Sequence, residues 1–212
     1  MSNNKIVIAI SGLRRNKRQS EFLQLMGGAA RARGFNYIPI EYGRGRITSR
    51  TRFLRRLIER IQTENLYLAG FSCGGATALK LAASFPDKIK GCVVINAPLS
   101  FCDLQFTDIL QDMSFQDAFS LYGLWAYVFG GVDVRRDLPS VKNCYAFYSD
   151  ADRIIKSESA AREIKRLPGN KMGRVDGGHR ISAGNKGAVC DLAASYFDDI
   201  IENQGRTGTF PA

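Results

Sequence analysis

The chain has 212 residues, 45% of them hydrophobic and 24% charged, which suits one globular domain and excludes a disordered or fibrous protein. No segment reaches the roughly 20 consecutive apolar residues of a membrane span, and the apolar run 6–10 is followed by basic residues where a signal peptide would be cleaved. The net charge of +10 is unevenly placed: residues 1–60 carry 14 Lys/Arg against 3 Asp/Glu, and residues 61–212 carry 16 against 17.

Strand and helix signals then alternate along the chain. Residues 5–10 read as a buried strand. Residues 17–33 follow with helical spacing of Phe22, Leu25, Met26 and Ala29, and Gly34 stops them. Residues 35–40 read as a second strand. Residues 47–61 read as an amphipathic helix with Phe53, Leu54, Leu57, Ile58 and Ile61 on its apolar face. Its five arginines (Arg50, Arg52, Arg55, Arg56 and Arg60) are assigned to the solvated side. A short strand, 66–69, runs into Gly70-Phe71-Ser72-Cys73-Gly74-Gly75 and an alanine-rich helix over 76–84, and residues 92–96 read as another strand.

Residues 99–137 break this rhythm. They are rich in aromatics, including Trp125 and Phe129, with helical stretches but no clear strand. Alternation resumes with a strand at 143–148, a helix at 157–167, a strand at 171–175 and a last helix at about 183–202. Repeated βαβ order predicts an α/β fold, a mostly parallel sheet with helices on both faces. The expected division is a core of residues 1–98 and 138–204, an insertion of residues 99–137 and a flexible tail of residues 205–212. Five cysteines without C-x-x-C spacing, and a single histidine, argue against a Cys/His metal site. They point to reduced thiols in a cytoplasmic protein.

Gly70-Phe71-Ser72-Cys73-Gly74 matches G-x-S-x-G, with a strand immediately before it and a helix immediately after. That context sets the serine on a sharp turn with small neighbours, at a helix N-terminus whose free N–H groups and positive dipole end face the reacting centre. Here the chain resembles the α/β-hydrolase superfamily over nearly its whole length. Residues 85–91, leading into the strand that ends Asn96-Ala97-Pro98, look like the stretch that follows the nucleophile helix there.

The resemblance implies a minimal α/β-hydrolase fold whose insertion forms a helical cap over the site, and a catalytic set in the order Ser, Asp or Glu, His. Ser72 then takes the place of the nucleophile. The acid falls after the strand at 143–148, where the following Ile154 and Ile155 favour Asp152 over Asp150. The base falls after the last strand, in Gly177-Gly178-His179. The oxyanion hole would take one N–H from Cys73 and one from Gly12 or Leu13, since this chain carries Ser11-Gly12 where many relatives carry His-Gly. Cys73 as an alternative nucleophile is disfavoured, because it lies one position past the turn.

The implied activity is hydrolysis of an ester or thioester of a small to medium acyl substrate through an acyl-enzyme, with no cofactor and no metal. An amidase, a peptidase or an acyltransferase could use the same three residues. The basic loops after the first two strands (Arg14, Arg15, Lys17 and Arg18; Arg44 and Arg46) leave the sheet edge where such folds place their sites. Arg14 and Arg15 are therefore candidate contacts for an anionic substrate. Trp125 and Phe129 are candidates for an apolar pocket. The acidic residues of the insertion (Asp103, Asp108, Asp112, Asp117 and Asp133) offer another partner for those arginines. A reading of another class, a non-catalytic interaction or nucleic-acid-binding protein using the basic third, finds no helix-turn-helix, RNA-binding signature or zinc finger.

Overall fold

Along the first strand, neighbouring residues serve opposite faces of one sheet, because successive side chains of a strand alternate. Ile6, Ile8 and Ile10 enter one core cluster, and Val7 and Ala9 enter another. Of these, Val7, Ile8, Ala9 and Ile10 are completely inaccessible to solvent. Each fully buried Val or Ile contributes roughly 1.5–3 kcal/mol. A strand covered on both sides needs this near-continuous apolar run.

The computed structural model describes residues 4–12, 17–41, 45–105, 123–130, 132–179 and 183–206. In chain order its elements are β1 (Lys5–Ile10), α1 (Lys17–Ala32), β2 (Asn36–Ile40), α2 (Ile47–Arg60), β3 (Asn65–Phe71), α3 (Cys73–Ser84), β4 (Ile89–Ile95), β5 (Cys144–Tyr148), α4 (Ser157–Lys165), β6 (Lys171–Arg174) and α5 (Ala183–Arg206). The six strands form one sheet in the order β2-β1-β3-β4-β5-β6. Every pairing is parallel, so the mostly parallel sheet expected from the sequence is parallel throughout. Helices α1 and α5 cover one face with Leu23, Met26, Phe197 and Ile200; α2, α3 and α4 cover the other with Leu54, Ile58, Leu79 and Ile164. No helix among the described residues is long and apolar enough to cross a membrane.

The order of strands decides where a site can form. The chain leaves β1 for β2 on one side and returns to β3 on the other, which opens a crevice beyond the carboxyl ends of β1 and β3. The chain emerges there at Ser11-Gly12 and at Ser72.

Several elements differ from the sequence expectation for physical reasons. On α2 the buried stripe is Ile47, Arg50, Thr51, Leu54 and Ile58, so Arg50 lies in the interior and Phe53 is 59% exposed. Helix α3 begins directly after the turn, at Cys73. Helix α5 continues to Arg206, because Asn203, Gln204 and Gly205 do not stop it, and residues 207–212 lie outside the described residues. The insertion contributes a 3-10 turn, Phe101–Asp103, and helical residues 123–129, while residues 106–122 and 131 lie outside the described residues. Its root closes on itself through an antiparallel bridge between Ser100 and Asp133, and Leu104 bridges Ile155.

One buried group costs the fold stability. The Tyr67 hydroxyl, at the start of β3 between Phe35 and Phe197, has no hydrogen-bond partner among the described residues. Burial raises its phenol well above the usual range. An unsatisfied buried hydroxyl costs about 1–3 kcal/mol. Tyr67→Phe is therefore expected to leave the urea midpoint unchanged or raise it by up to about 1 kcal/mol equivalent; a loss of that size would reveal a partner for the hydroxyl.

Candidate active site

The turn between β3 and α3 is built by close backbone approach. A Cβ at Gly74 would overlap the carbonyl oxygens of Ile10 and Ser11, and one at Gly70 would overlap the backbone of Gly74 and Gly75. Both positions therefore need glycine for lack of space. Between them Ser72 adopts φ 54°, ψ −127°, a conformation that costs an L-residue about 1–3 kcal/mol. Its N–H donates to the Ile95 carbonyl at 2.9 Å, and its carbonyl accepts from Gly75 N–H at 2.8 Å and Ala76 N–H at 3.3 Å. These bonds hold the strained turn in place.

Two further loops converge on the serine. After β6, Gly177 takes φ +115° and the chain presents His179 with its side chain 12% exposed. After β5, Asp152 folds into a tight turn, its Oδ1 accepting from Ile154 N–H at 2.9 Å and Ile155 N–H at 3.0 Å. Its Oδ2 faces His179 Nδ1 at 2.9 Å, and His179 Nε2 faces Ser72 Oγ at 3.0 Å. A carboxylate only accepts, so Nδ1–H donates to Asp152 and Nε2 is left as the acceptor of the Ser72 O–H. The Phe71 ring lies against the imidazole, with centroids 5.4 Å apart.

The structure thus brings Ser72, His179 and Asp152 into one hydrogen-bonded line. Asp150, the other candidate acid, points away and pairs with Arg174 at 2.6 Å on the surface. Cys73 is the first residue of α3, so its N–H has no acceptor within the helix. Its thiol is fully buried, and that desolvation pushes it up to about 12, so it stays protonated. Arg50, the buried arginine of α2, is the group whose charge chiefly opposes that rise. Gly12 is buried just past the end of β1, and the two residues before it, Ile10 and Ser11, set their carbonyls against Gly74 of α3.

The remaining candidates divide. Leu13, Arg14, Arg15 and Arg44 lie outside the described residues, as do Asp108, Asp112 and Asp117. Arg46 stacks on the Tyr127 ring of the insertion, 4.7 Å from its centroid. Asp103 and Asp133 of the insertion both pair with its own Arg135. Trp125 and Phe129 are buried among the aliphatic residues of the larger core cluster, their rings 6.1 Å apart.

Two residues near the site take roles that no motif in the sequence assigns to them. Gln105 donates from Nε2 to the Asp152 carbonyl at 2.8 Å, tying the insertion to the acid's loop. Asn96, completely buried at the end of β4, bonds to the loops of both His179 and Asp152. Its one visible signal is an asparagine ending an apolar strand, since asparagine tolerates positive φ better than most residues.

A family model described as alpha/beta hydrolase fold matches residues 33–130. No curated protein matches the sequence at a significant level. Among solved structures, Est1E from Butyrivibrio proteoclasticus is similar with TM-score 0.75 and 15% identity, over 95% of this chain and 90% of that one. The esterase domain of a Rhodothermus marinus protein gives TM-score 0.66 and 15% identity over 92% and 88%. The thioesterase domain from the curacin biosynthetic pathway gives 0.63 and 14% over 92% and 91%. At these identities the likeness to the solved structures is one of fold.

Proposed function

We propose that this chain, an α/β-hydrolase by fold, is a serine hydrolase that cleaves an ester or thioester of a small to medium acyl substrate. The observation that carries the reading is the unbroken line from Ser72 Oγ through the His179 ring to Asp152 Oδ2, with steps of 3.0 and 2.9 Å. A serine hydroxyl is a weak nucleophile until a base takes its proton. In this reading Nε2 takes that proton as Oγ attacks the acyl carbon. Asp152 keeps the imidazole in the productive tautomer and stabilises the imidazolium that forms.

The tetrahedral oxyanion would be met by the Cys73 N–H, with a second N–H from the loop after β1, Gly12 or Leu13. The imidazolium then gives its proton to the departing alcohol or thiol, which leaves the acyl group on Ser72. Water attacks that ester and yields its proton to Nε2; Oγ departs and recovers the proton. No metal or cofactor enters these steps. In the same reading residues 99–137 form the cap and the basic loops favour an anionic substrate. The five free thiols suit a reducing, cytoplasmic setting.

Intact-mass measurement after incubation with a fluorophosphonate tests the proposal. One adduct per chain, mapped to the peptide containing Ser72, is the expected result. Folded wild-type protein that takes no label would remove the hydrolase reading and leave a non-catalytic interaction protein on this fold.

A further inference from the structure

Asn96 follows β4 at φ +45° and is 0% exposed. Its N–H donates to the Phe147 carbonyl at 2.9 Å, which ties the ends of β4 and β5 together. Its side chain reaches further. Oδ1 accepts the Ser149 N–H at 2.8 Å, and Nδ2 donates to Ser149 Oγ at 3.1 Å and to the His179 carbonyl at 3.2 Å. The Gly178 carbonyl stands at 3.5 Å from the same nitrogen. An N–H group can only donate, so the Ser149 contact fixes which side-chain atom is oxygen, and the NH₂ must face the histidine loop.

The two ends of this clamp matter for chemistry. Ser149 begins the acid's loop: its carbonyl accepts the Asp152 N–H at 3.2 Å and the Ser157 hydroxyl at 3.1 Å. The other end is the backbone of His179 itself. One carboxamide therefore spans from the loop that carries Asp152 to the loop that carries His179. Positive φ alone does not explain it, because a glycine would adopt that conformation without burying two polar groups.

We propose that Asn96 is a positioning residue, whose carboxamide sets the separation and facing of His179 and Asp152. The assignment rests on the reading of Ser72, His179 and Asp152 given above, and deepens it. Displacing a reacting group by about 1 Å can cost about 100-fold in rate, so loss of the clamp should appear in the chemical step and leave binding alone.

Two variants keep the backbone conformation and remove the donor. Asn96→Asp preserves the acceptor for Ser149 N–H but turns a carboxylate oxygen toward the carbonyls of Gly178 and His179. Asn96→Gly accommodates φ +45° and deletes the side chain. The chain's single histidine supplies a probe that needs no substrate: the low-field proton resonance of His179 Nδ1–H in its bond to Asp152. Both variants are expected to lose or broaden that resonance. Their maximal rate of fluorophosphonate labelling should fall about 100-fold with reagent affinity unchanged, while thermal unfolding stays cooperative.

Folded variants that keep the resonance and the wild-type labelling rate would overturn the proposal, even if their melting temperature fell. Wild-type protein that shows the resonance and loses it in both variants, yet never takes label, would keep Asn96 in its positioning role. It would overturn the hydrolase reading instead.

Discussion

Replacing Ser72 or His179 with alanine is expected to lower kcat on an activated ester by about 10⁶-fold, and replacing both together to cost little more. The two side chains act as one unit through the 3.0 Å contact between Oγ and Nε2. Without the imidazole the hydroxyl keeps its proton, and without the hydroxyl the imidazole has nothing to activate. Residual turnover should come from the backbone donors at the start of α3, which neither change touches. Steady-state kinetics on the two single variants and the double variant, with circular dichroism to confirm folding, would test this. Additive losses would show that Ser72 and His179 serve different steps.

Asp152→Asn is expected to lower kcat about 10⁴-fold with little loss of stability. Asparagine keeps an oxygen for the N–H groups of Ile154 and Ile155, so the turn survives. Toward the imidazole it can present an NH₂ in place of an acceptor. Nδ1 must then accept, the ring proton moves to Nε2, and the Ser72 hydroxyl loses its base. Asp150→Asn is the matched control. Its partner Arg174 and its own side chain are largely exposed, and such a surface pair contributes roughly 0–1 kcal/mol. It should leave kcat within about twofold. If Asp150→Asn were the damaging change, the acid would have been assigned to the wrong carboxylate.

The parts of the molecule that follow from local rules were legible in the amino-acid sequence. The apolar runs of β1, β3 and β4 reveal strands buried on both sides, and the alternation with helices reveals parallel order. The turn at Ser72 is marked by glycines that the backbone contacts at Gly70 and Gly74 require. The preference for Asp152 over Asp150 rests on the family resemblance, through Ile154 and Ile155, and not on a local rule. The bonds to the Asp152 carboxylate come from the backbone N–H groups of those residues, which any residue but proline could supply.

What escaped the sequence reading depends on distant partners. Asn96 meets Ser149 and His179 across 53 and 83 residues of chain, so no local spacing announces it. Arg50 was assigned to solvent by its charge, yet it falls on the stripe of Ile47, Leu54 and Ile58 that faces the sheet. Phe53, assigned to the core by its apolarity, lies about 100° around the helix from Leu54 and faces outward. In both cases residue type outweighed angular position, and the packing of α2 followed position.

The bridge between Ser100 and Asp133 closes the insertion at its neck, where Arg135 also joins Asp103 and Glu163. Below that neck, Leu104 and Gln105 are already engaged with the loop that carries Asp152. Past the neck, Val128 and Phe129 return to the core that the strands share, and each such buried side chain contributes roughly 1.5–3 kcal/mol. The insertion is thus held at its root and again through residues 123–129, so it belongs to the stability of the sheet. Descendants of this protein that drift in what they recognise would have to keep those side chains buried, and the line from Ser72 to Asp152 would be inherited together with them.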